Sequence, residues 1–372
     1  MFPKRVLVTG GAGFIGSNLV RSLVEKMARG EDSAPQKIIN VDLLTYAGNH
    51  DSIADLDGAP GYTFIRADIR DRERTAEIFE THHPQGIIHL AAESHVDRSI
   101  AGPDVFVETN IGGTYNLLKA SHAYVDTLPT AERDAFRFLN VSTDEVYGSL
   151  GREGFFTEDT PYAPNSPYAA TKAAADHLTR AYHQTFGLPT LVTHCSNNYG
   201  PYQFPEKLIP LVIHRAIAAA TLPIYGQGEN IRDWIHVRDH CEGLWTIFTQ
   251  GVPGETYNMG GHAERRNIEM VHALCEGLEA LSPAADNAAM KAKGIARYRD
   301  LITFVTDRPG HDFRYAIDGS RIARDLDWSP QETLESGLRQ TIAWYLSHPK
   351  WVEDITTGAY RAWIEDNYGD RA

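Results

Sequence analysis

Residues 5–16 of this 372-residue chain read RVLVTGGAGFIG. Residues 5–9 are an apolar run of the kind buried in a parallel sheet. Gly10, Gly13 and Gly16 follow at G-x-x-G-x-x-G spacing, and residues 17–27 carry a helical pattern. Glycines there let a backbone approach a pyrophosphate, which rests on the free N–H groups of the helix start. The triplet alone is a weak pattern; set between a strand and a helix it predicts a dinucleotide site. A second strand over residues 37–41 ends at Asp42, where a carboxylate can hold ribose hydroxyls. An acid at that strand end disfavours a 2′-phosphate, so the expected cofactor is NAD and not NADP. The polar insert 28–36 accounts for the extra distance to Asp42.

Strand and helix then alternate. Residues 62–67 and 86–90 are predicted strands, 72–82 and 103–124 predicted helices, followed by a strand from Phe138, a helix at 167–186 and a strand at 190–194. Such alternation predicts an α/β fold, a Rossmann-type doubly wound parallel sheet, with ligands at the carboxyl ends of its strands. Beyond residue 196 the regular pattern stops. Helices are expected at 205–219, 240–250, 267–281 and 334–347, with short strands at 222–225, 231–237, 256–259 and 301–306. The expected division is an NAD-binding domain over 1–196 and a smaller mixed α/β C-terminal substrate domain over 197–372. Segments around 231–262 are expected to return to the first. Residues 284–293 (AADNAAMKAK) read as a solvated connection or helix end.

Residues 138–172 carry the chemistry: FLNVSTDEVYGSLGREGFFTEDTPYAPNSPYAATK. Asn165, Ser166 and Pro167 mark a helix start, and Tyr168 and Lys172, four apart, share a face of that helix. An ammonium beside a tyrosine favours the phenolate, a base for an alcohol proton. A second Tyr–Lys pair, Tyr115 and Lys119, lacks what Tyr168 has upstream: Thr143 and the acids Asp144 and Glu145 at a strand end. Adjacent strand residues point to opposite faces, so both acids serve one site only where the strand has ended; the turn Val146-Tyr147-Gly148 predicts that it has.

The net charge of −14 argues against a nucleic-acid or anionic-membrane surface. Three cysteines, Cys195, Cys241 and Cys275, form no C-x-x-C pair, and the N-terminus runs straight into a strand. A cytoplasmic protein without disulfides is expected. The longest apolar tract, 208–225, is broken by His214 and Arg215 and reads as a soluble helix. No metal is expected: His236 and His240 have H-x-x-x-H spacing, but the glutamate of a zinc protease motif is absent and the segment begins as a strand. His82 and His83 beside Pro84 read as a solvated helix end.

With TGGAGFIGS, ADIRD, LAAESHVDRSI, STDEVYG, YAATK, NNYGPYQFPEKLIP and DRPGHD in view, the chain resembles the extended short-chain dehydrogenase/reductases. Within them it is most similar to the dTDP-glucose 4,6-dehydratase family, from Lys4 to the C-terminal GAYRAWIEDNYG. STDEVYG is the specific part; epimerases of the fold lack the acid pair, and GDP-mannose dehydratases usually carry another pattern there. The resemblance implies a cycle on dTDP-glucose with a recycled, tightly bound NAD: C4 oxidation, loss of water across C5 and C6, and C6 reduction. Tyr168, aided by Lys172 and Thr143, would take the C4 hydroxyl proton, Glu145 the C5 proton, and Asp144 would protonate the leaving C6 hydroxyl. Elimination needs both a base and an acid, which two carboxyls provide. Phe14, Ile15, Leu43, Thr45, Asp68, Ile69, Leu90, Ala91, Ala92, Ser94, Thr109 and Asn198 would line the cofactor, Asp68 and Ile69 at its adenine. Ser94, Thr143, Asn197, Glu206, Lys207, Leu208, Pro223 and Ile224 would line the substrate. Tyr225 would meet the thymine, and Arg232, Asn267, Arg308 and His311 the ribose and diphosphate. Tyr360 matches the family's C-terminal motif. A homodimer through helices 103–124 and 167–186 is also implied. The alternatives are another NAD-dependent nucleotide-sugar epimerase or dehydratase, and a non-catalytic NAD-binding regulator.

Overall fold

The computed structural model describes residues 2–307 and 310–356. Seven strands form one wholly parallel sheet: β1 (Arg5–Thr9), β2 (Lys37–Asp42), β3 (Tyr62–Arg66), β4 (Gly86–His89), β5 (Arg137–Val141), β6 (Thr190–Cys195) and β7 (Thr256–Met259). Their order is β7-β6-β5-β4-β1-β2-β3, so the winding reverses between β1 and β4. This is the Rossmann-type doubly wound sheet, and its crevice opens at that reversal. Successive residues of each strand feed opposite cores. Val6, Val8, Ile38, Ile88 and Leu139 pack with the helices Phe14–Ala28 and Val237–Gln250. Leu7, Ile39, Ile87 and Phe138 pack with the opposite layer, where Ile78, Phe79, Leu117, Leu118 and Tyr182 lie. A sheet covered on both faces explains why its strands read as continuous apolar runs.

A second core, around Val212, Met270, Leu274, Tyr298 and Ile342, belongs to the chain after residue 198. Its main helices are Leu208–Ile217, Asn267–Leu281 and Leu334–Ser347. The strand Leu222–Tyr225 pairs in parallel with Ile302–Val305. Among the described residues no helix is long and apolar enough to cross a membrane.

Four segments differ from the sequence expectation. The first helix starts at Phe14, directly after Gly13, where the sequence reading began it at Ser17. The expected helix 103–124 is continuous in direction but changes to π-helical bonding over Val107–Gly113 before Thr114–Val125. The expected strand 231–237 splits into Ile231–Arg232 and Trp234–His236. Between them the buried Asp233 turns its carboxylate to the N–H groups of Gly261 (2.9 Å) and Ala263 (2.6 Å). Residues 284–293, expected as a solvated connection or helix end, are mostly exposed and hold the short helix Ala288–Lys293, capped by Asn287, but Ala284 and Met290 are buried in the second core.

Candidate active site

The glycine loop is shaped by sterics. Gly10 has φ +77°, and a Cβ there would stand 2.6 Å from the Ala91 nitrogen; one at Gly16 would collide with the Gly10 carbonyl. A Cβ at Gly13 would meet only the Gly10 oxygen, at 3.3 Å. Gly13 therefore leaves open space at the start of the helix, the room a pyrophosphate needs. At the end of β2 the buried Asp42 carboxylate accepts from the Ala12 N–H (2.9 Å) and the Leu44 N–H (2.8 Å), which lock it toward the cleft; burial raises its pKa despite these bonds. These features fit a dinucleotide, with Asp42 placed for a ribose diol.

One cleft crosses the carboxyl ends of the strands. It is lined by Gly10, Gly13, Phe14, Ile15, Gly16, Asp42, Leu43, Thr45, Asp68, Ile69, Leu90, Ala91, Ala92, Ser94, Thr109 and Asn198. Thr143, Asp144, Glu145, Tyr168, Lys172, Asn197, Glu206 and Lys207 line it as well. Thr109 enters it from the π-helical turn, the kind of distortion often found at functional sites.

β5 ends at Val141, and Thr143 caps a short 3₁₀ helix, Asp144–Tyr147. The strand has thus finished before the two acids, and both reach the same cleft. Asp144 is buried, and its Oδ2 has no hydrogen-bond partner among the described residues. Burial, and then the charge of Glu145, raise its carboxyl well above the usual range. A carboxyl whose proton affinity is raised in this way is suited to act as a general acid.

Tyr168 and Lys172 project from the helix Pro167–Phe186, started by Ser166, whose hydroxyl accepts from the Ala169 N–H at 3.1 Å. Both are buried. The Lys172 Nζ donates to the Val141 carbonyl at 2.8 Å, and burial lowers its pKa. The Lys172 charge is not the dominant influence on Tyr168. Burial, and next the negative charge of Glu145, push the Tyr168 phenol well above its ordinary value, opposed by a hydrogen bond with Thr143.

At the substrate end Glu206 is buried, and burial raises its pKa; Arg98 Nε donates to it at 3.3 Å. Lys207 Nζ donates to the Ser94 carbonyl at 3.0 Å. Among the described residues, the other expected substrate residues are not part of this cleft's lining, although the Arg232 charge acts on Asp144 and opposes the rise of its pKa. Ile224 is buried in the second core, Pro223 is buried beside it, and Leu208 packs against that core as the first residue of its helix. Tyr225 donates to Asp97 at 3.3 Å and meets His311 edge-on, with ring centroids 6.0 Å apart. Arg232 is buried over the Tyr315 ring (4.1 Å) and donates to the Asp312 carbonyl (2.9 Å). Asn267 opens the helix Asn267–Leu281 with its N–H on Asn230. Arg308 and Tyr360 lie outside the described residues.

The sequence reading missed Glu93, Cys195, Gln203 and Phe204, which also line the cleft. Their signals were positional: Cys195 and Glu93 follow predicted strand ends, and Gln203 and Phe204 lie in the quoted stretch NNYGPYQFPEKLIP. His236 and His240 are separated: His240 Nδ1 faces Asn198 Oδ1 at 2.8 Å, while His236 caps its helix. Among the described residues no cluster of three or more His, Cys, Asp or Glu can hold a metal ion.

Comparison with known proteins agrees with this geometry. The family model described as GDP-mannose 4,6 dehydratase matches residues 7–341. A dTDP-glucose 4,6-dehydratase of Escherichia coli K12 is 52% identical over 99% of both chains. That of Neisseria meningitidis is 53% identical over 96% of this chain and 98% of its own. Among solved structures, the dTDP-glucose 4,6-dehydratase of Streptomyces venezuelae, crystallised with NAD bound, superposes with a TM-score of 0.83 at 43% identity, covering 94% of this chain and 99% of that one. The UDP-glucose 4-epimerase of Thermotoga maritima superposes with a TM-score of 0.77 at 26% identity, covering 92% and 99%. Half of all positions are thus shared with the dehydratases and about a quarter with the epimerase. The chain belongs to the nucleotide-sugar 4,6-dehydratases and, within them, to the dTDP-glucose 4,6-dehydratase family.

Proposed function

We propose that this chain dehydrates dTDP-glucose to dTDP-4-keto-6-deoxyglucose, an NAD-dependent hydro-lyase reaction of deoxysugar biosynthesis. The observation that carries the reading is the turn after β5. It puts Asp144, whose carboxyl burial and the Glu145 charge push well above the usual range, and the neighbouring Glu145 into the cleft that also holds Tyr168, Lys172 and the glycine loop. Bound NAD supplies the oxidising equivalent for C4 and the reducing equivalent for C6, and its oxidised form is a cation. Gly10, Gly13, Gly16, Asp42, Asp68 and Thr109 would hold it.

Tyr168, bonded to Thr143, takes the proton of the C4 hydroxyl. A positive charge beside it would favour loss of its proton, against the burial and the Glu145 charge that hold the proton on. The C4 ketone acidifies C5–H, Glu145 removes that proton, and Asp144 gives its own to the departing C6 hydroxyl, so water leaves with its atoms accounted for. After C6 is reduced, a proton returns to C5 and Asp144 is recharged from solvent. Glu206 and Lys207, at the sugar end of the cleft, orient the substrate. Tyr225 and Asn267, on elements of the second core, and Arg232 and His311 beside them serve the nucleotide.

We divide the chain into an NAD-binding domain, 1–196 with β7 and the helix Val237–Gln250, and a substrate domain made of the remainder. A homodimer fits the exposed apolar side chains Val105, Val107 and Tyr115, on the helical run that ends at Val125, and Phe186 at the end of Pro167–Phe186. A cytoplasmic location fits three free, buried thiols.

The test is mass spectrometry of the product from dTDP-glucose in heavy water without added NAD. Loss of one water with one deuterium gained at C5 is expected. Unchanged mass, with UDP-galactose converted instead, refutes the dehydratase in favour of the epimerase that the structural neighbours of lower identity represent.

A further inference from the structure

We propose that Tyr147 is a positioning residue for the elimination step: its hydroxyl, held by His194 and Asn258, fixes the short turn that carries Asp144 and Glu145. The inference rests on the acid–base reading above. That turn has little strength of its own. Its bonds are long: Val146 N–H to the Thr143 carbonyl 3.4 Å, Gly148 N–H to the Glu145 carbonyl 3.3 Å, and Glu145 N–H to the Thr143 hydroxyl 3.3 Å. Four residues of 3₁₀ helix with such bonds do not hold two carboxyls in register unaided.

The support comes from beneath. Tyr147, the last residue of the turn, is 3% exposed and stacks on Phe156, with centroids 5.1 Å apart. Asn258 commits its amide nitrogen to the Phe156 carbonyl (3.2 Å), so its oxygen is the acceptor for the Tyr147 hydroxyl at 2.9 Å. His194 Nδ1 stands 2.8 Å from the same hydroxyl and 3.2 Å from Asn258 Oδ1. His194 and Asn258 are register partners on β6 and β7. The other ring nitrogen of His194 faces Tyr162 Oη (2.9 Å) and Asp176 Oδ2 (3.2 Å). Asp176 also accepts from Asn140 Nδ2 and Ser142 Oγ, each at 2.8 Å.

Asp176 stands four residues after Lys172 and eight after Tyr168 on one helix, in a single row along it. One buried network therefore ties the acid-bearing turn to the helix that carries the Tyr–Lys pair, through β5, β6 and β7. Tyr147, His194, Asp176 and Asn258 are absent from the described cleft lining, so they act through the residues they hold. Misplacing a reacting group by about 1 Å can cost about 100-fold in rate.

The experiment separates the steps by the near-ultraviolet absorbance of reduced nicotinamide and by quenched product analysis on the holoenzyme. Tyr147→Phe keeps the stacked ring and removes the hydroxyl. Substrate-dependent cofactor reduction is expected within about twofold of wild type, with water loss slowed about 10- to 100-fold, so reduced cofactor accumulates. Tyr162→Phe removes the hydroxyl at the opposite ring nitrogen and is expected to leave the ratio of the two rates unchanged. Equal slowing of both steps, or the same change in Tyr162→Phe, overturns the proposal in favour of general packing. Should Tyr147→Phe fold poorly, Asn258→Ser, which removes the acceptor, must show the same step-selective loss; its absence also overturns the proposal. A wild-type chain silent on dTDP-glucose refutes the functional reading itself, and that outcome is seen before any variant is compared.

Discussion

Replacing Asp144 by asparagine separates the acid's chemistry from its cost to the fold. Asp144 is 2% exposed, with Oδ2 unpartnered among the described residues. Burial first, and Glu145 second, raise its carboxyl well above the usual range. Below the unfolded value of about 3.9 both states hold the proton, and the group is neutral in its effect on stability. Above it the unfolded chain releases the proton while the folded chain keeps it, so stability falls by about 1.4 kcal/mol per pH unit until the folded carboxyl also ionises. Asparagine has nothing to titrate. The stability of Asp144→Asn relative to wild type is therefore expected to be smallest near pH 4 and to grow with pH at up to that slope. The same variant should lose elimination by about 10²- to 10⁴-fold, the share of a general acid, while still forming reduced cofactor with substrate. Urea unfolding of both proteins from pH 4 to 7, followed by fluorescence, measures the first; rapid quench measures the second. A wild type that gains on the variant as pH rises would mean an ionised, stabilised Asp144, and would refute its role as the acid.

The competing Tyr–Lys pairs are distinguished by Tyr168→Phe, which should abolish substrate-dependent cofactor reduction, against Tyr115→Phe. Tyr115 is 39% exposed on a helix surface, and turnover unchanged there is the expected result; a dead Tyr115→Phe would reverse the assignment. Gly16→Ala should destabilise the fold by about 3 kcal/mol by overpacking, because its Cβ would meet the Gly10 carbonyl, whereas Gly13→Ala should stay folded and purify with less NAD. Equal melting points for the two glycine variants would refute this reading of the loop. Cys195 and Cys241 are buried with their thiols pushed up, and burial pushes Cys275 up to about 12. A thiol reagent should therefore label none of the three until urea unfolds the chain, and prompt labelling of any one would contradict its burial.

What was legible in the sequence was what repeats locally. The alternation of apolar runs and amphipathic stretches gave the sheet, and the glycine spacing with Asp42 gave the dinucleotide end of the cleft. The π-helical turn at Val107–Gly113 left no trace, because a one-residue slip in bonding hardly changes an apolar pattern over seven residues. Asp233 broke an expected strand through bonds to residues about thirty positions away. The substrate end was read by resemblance alone. Ile224 then proved to face a core, since four apolar residues in a row say nothing about which of them is covered. The state of Tyr168 was likewise hidden: its helix displays the Lys172 charge, but the opposing Glu145 arrives from another element.

The ending of β5 joins these observations. A strand that ran on through Asp144 and Glu145 would send the two carboxyls to opposite faces of the sheet. The ladder continues one bond past Val141, where Ser142 N–H reaches the Thr193 carbonyl at 2.8 Å. The Val141 carbonyl is taken by the Lys172 ammonium instead, and the Ser142 hydroxyl by Asp176. Two residues of one row of the helix Pro167–Phe186, the row that begins with Tyr168, thus grip the strand at its end. Lys172 is therefore placed to do two things at once: it carries a positive charge on the helix face of Tyr168, and it holds the last carbonyl of the strand beyond which the acid and the base turn into the cleft. Because the oxidation pair and the elimination pair share that one boundary, their relative position is a property of the fold and not of any loop.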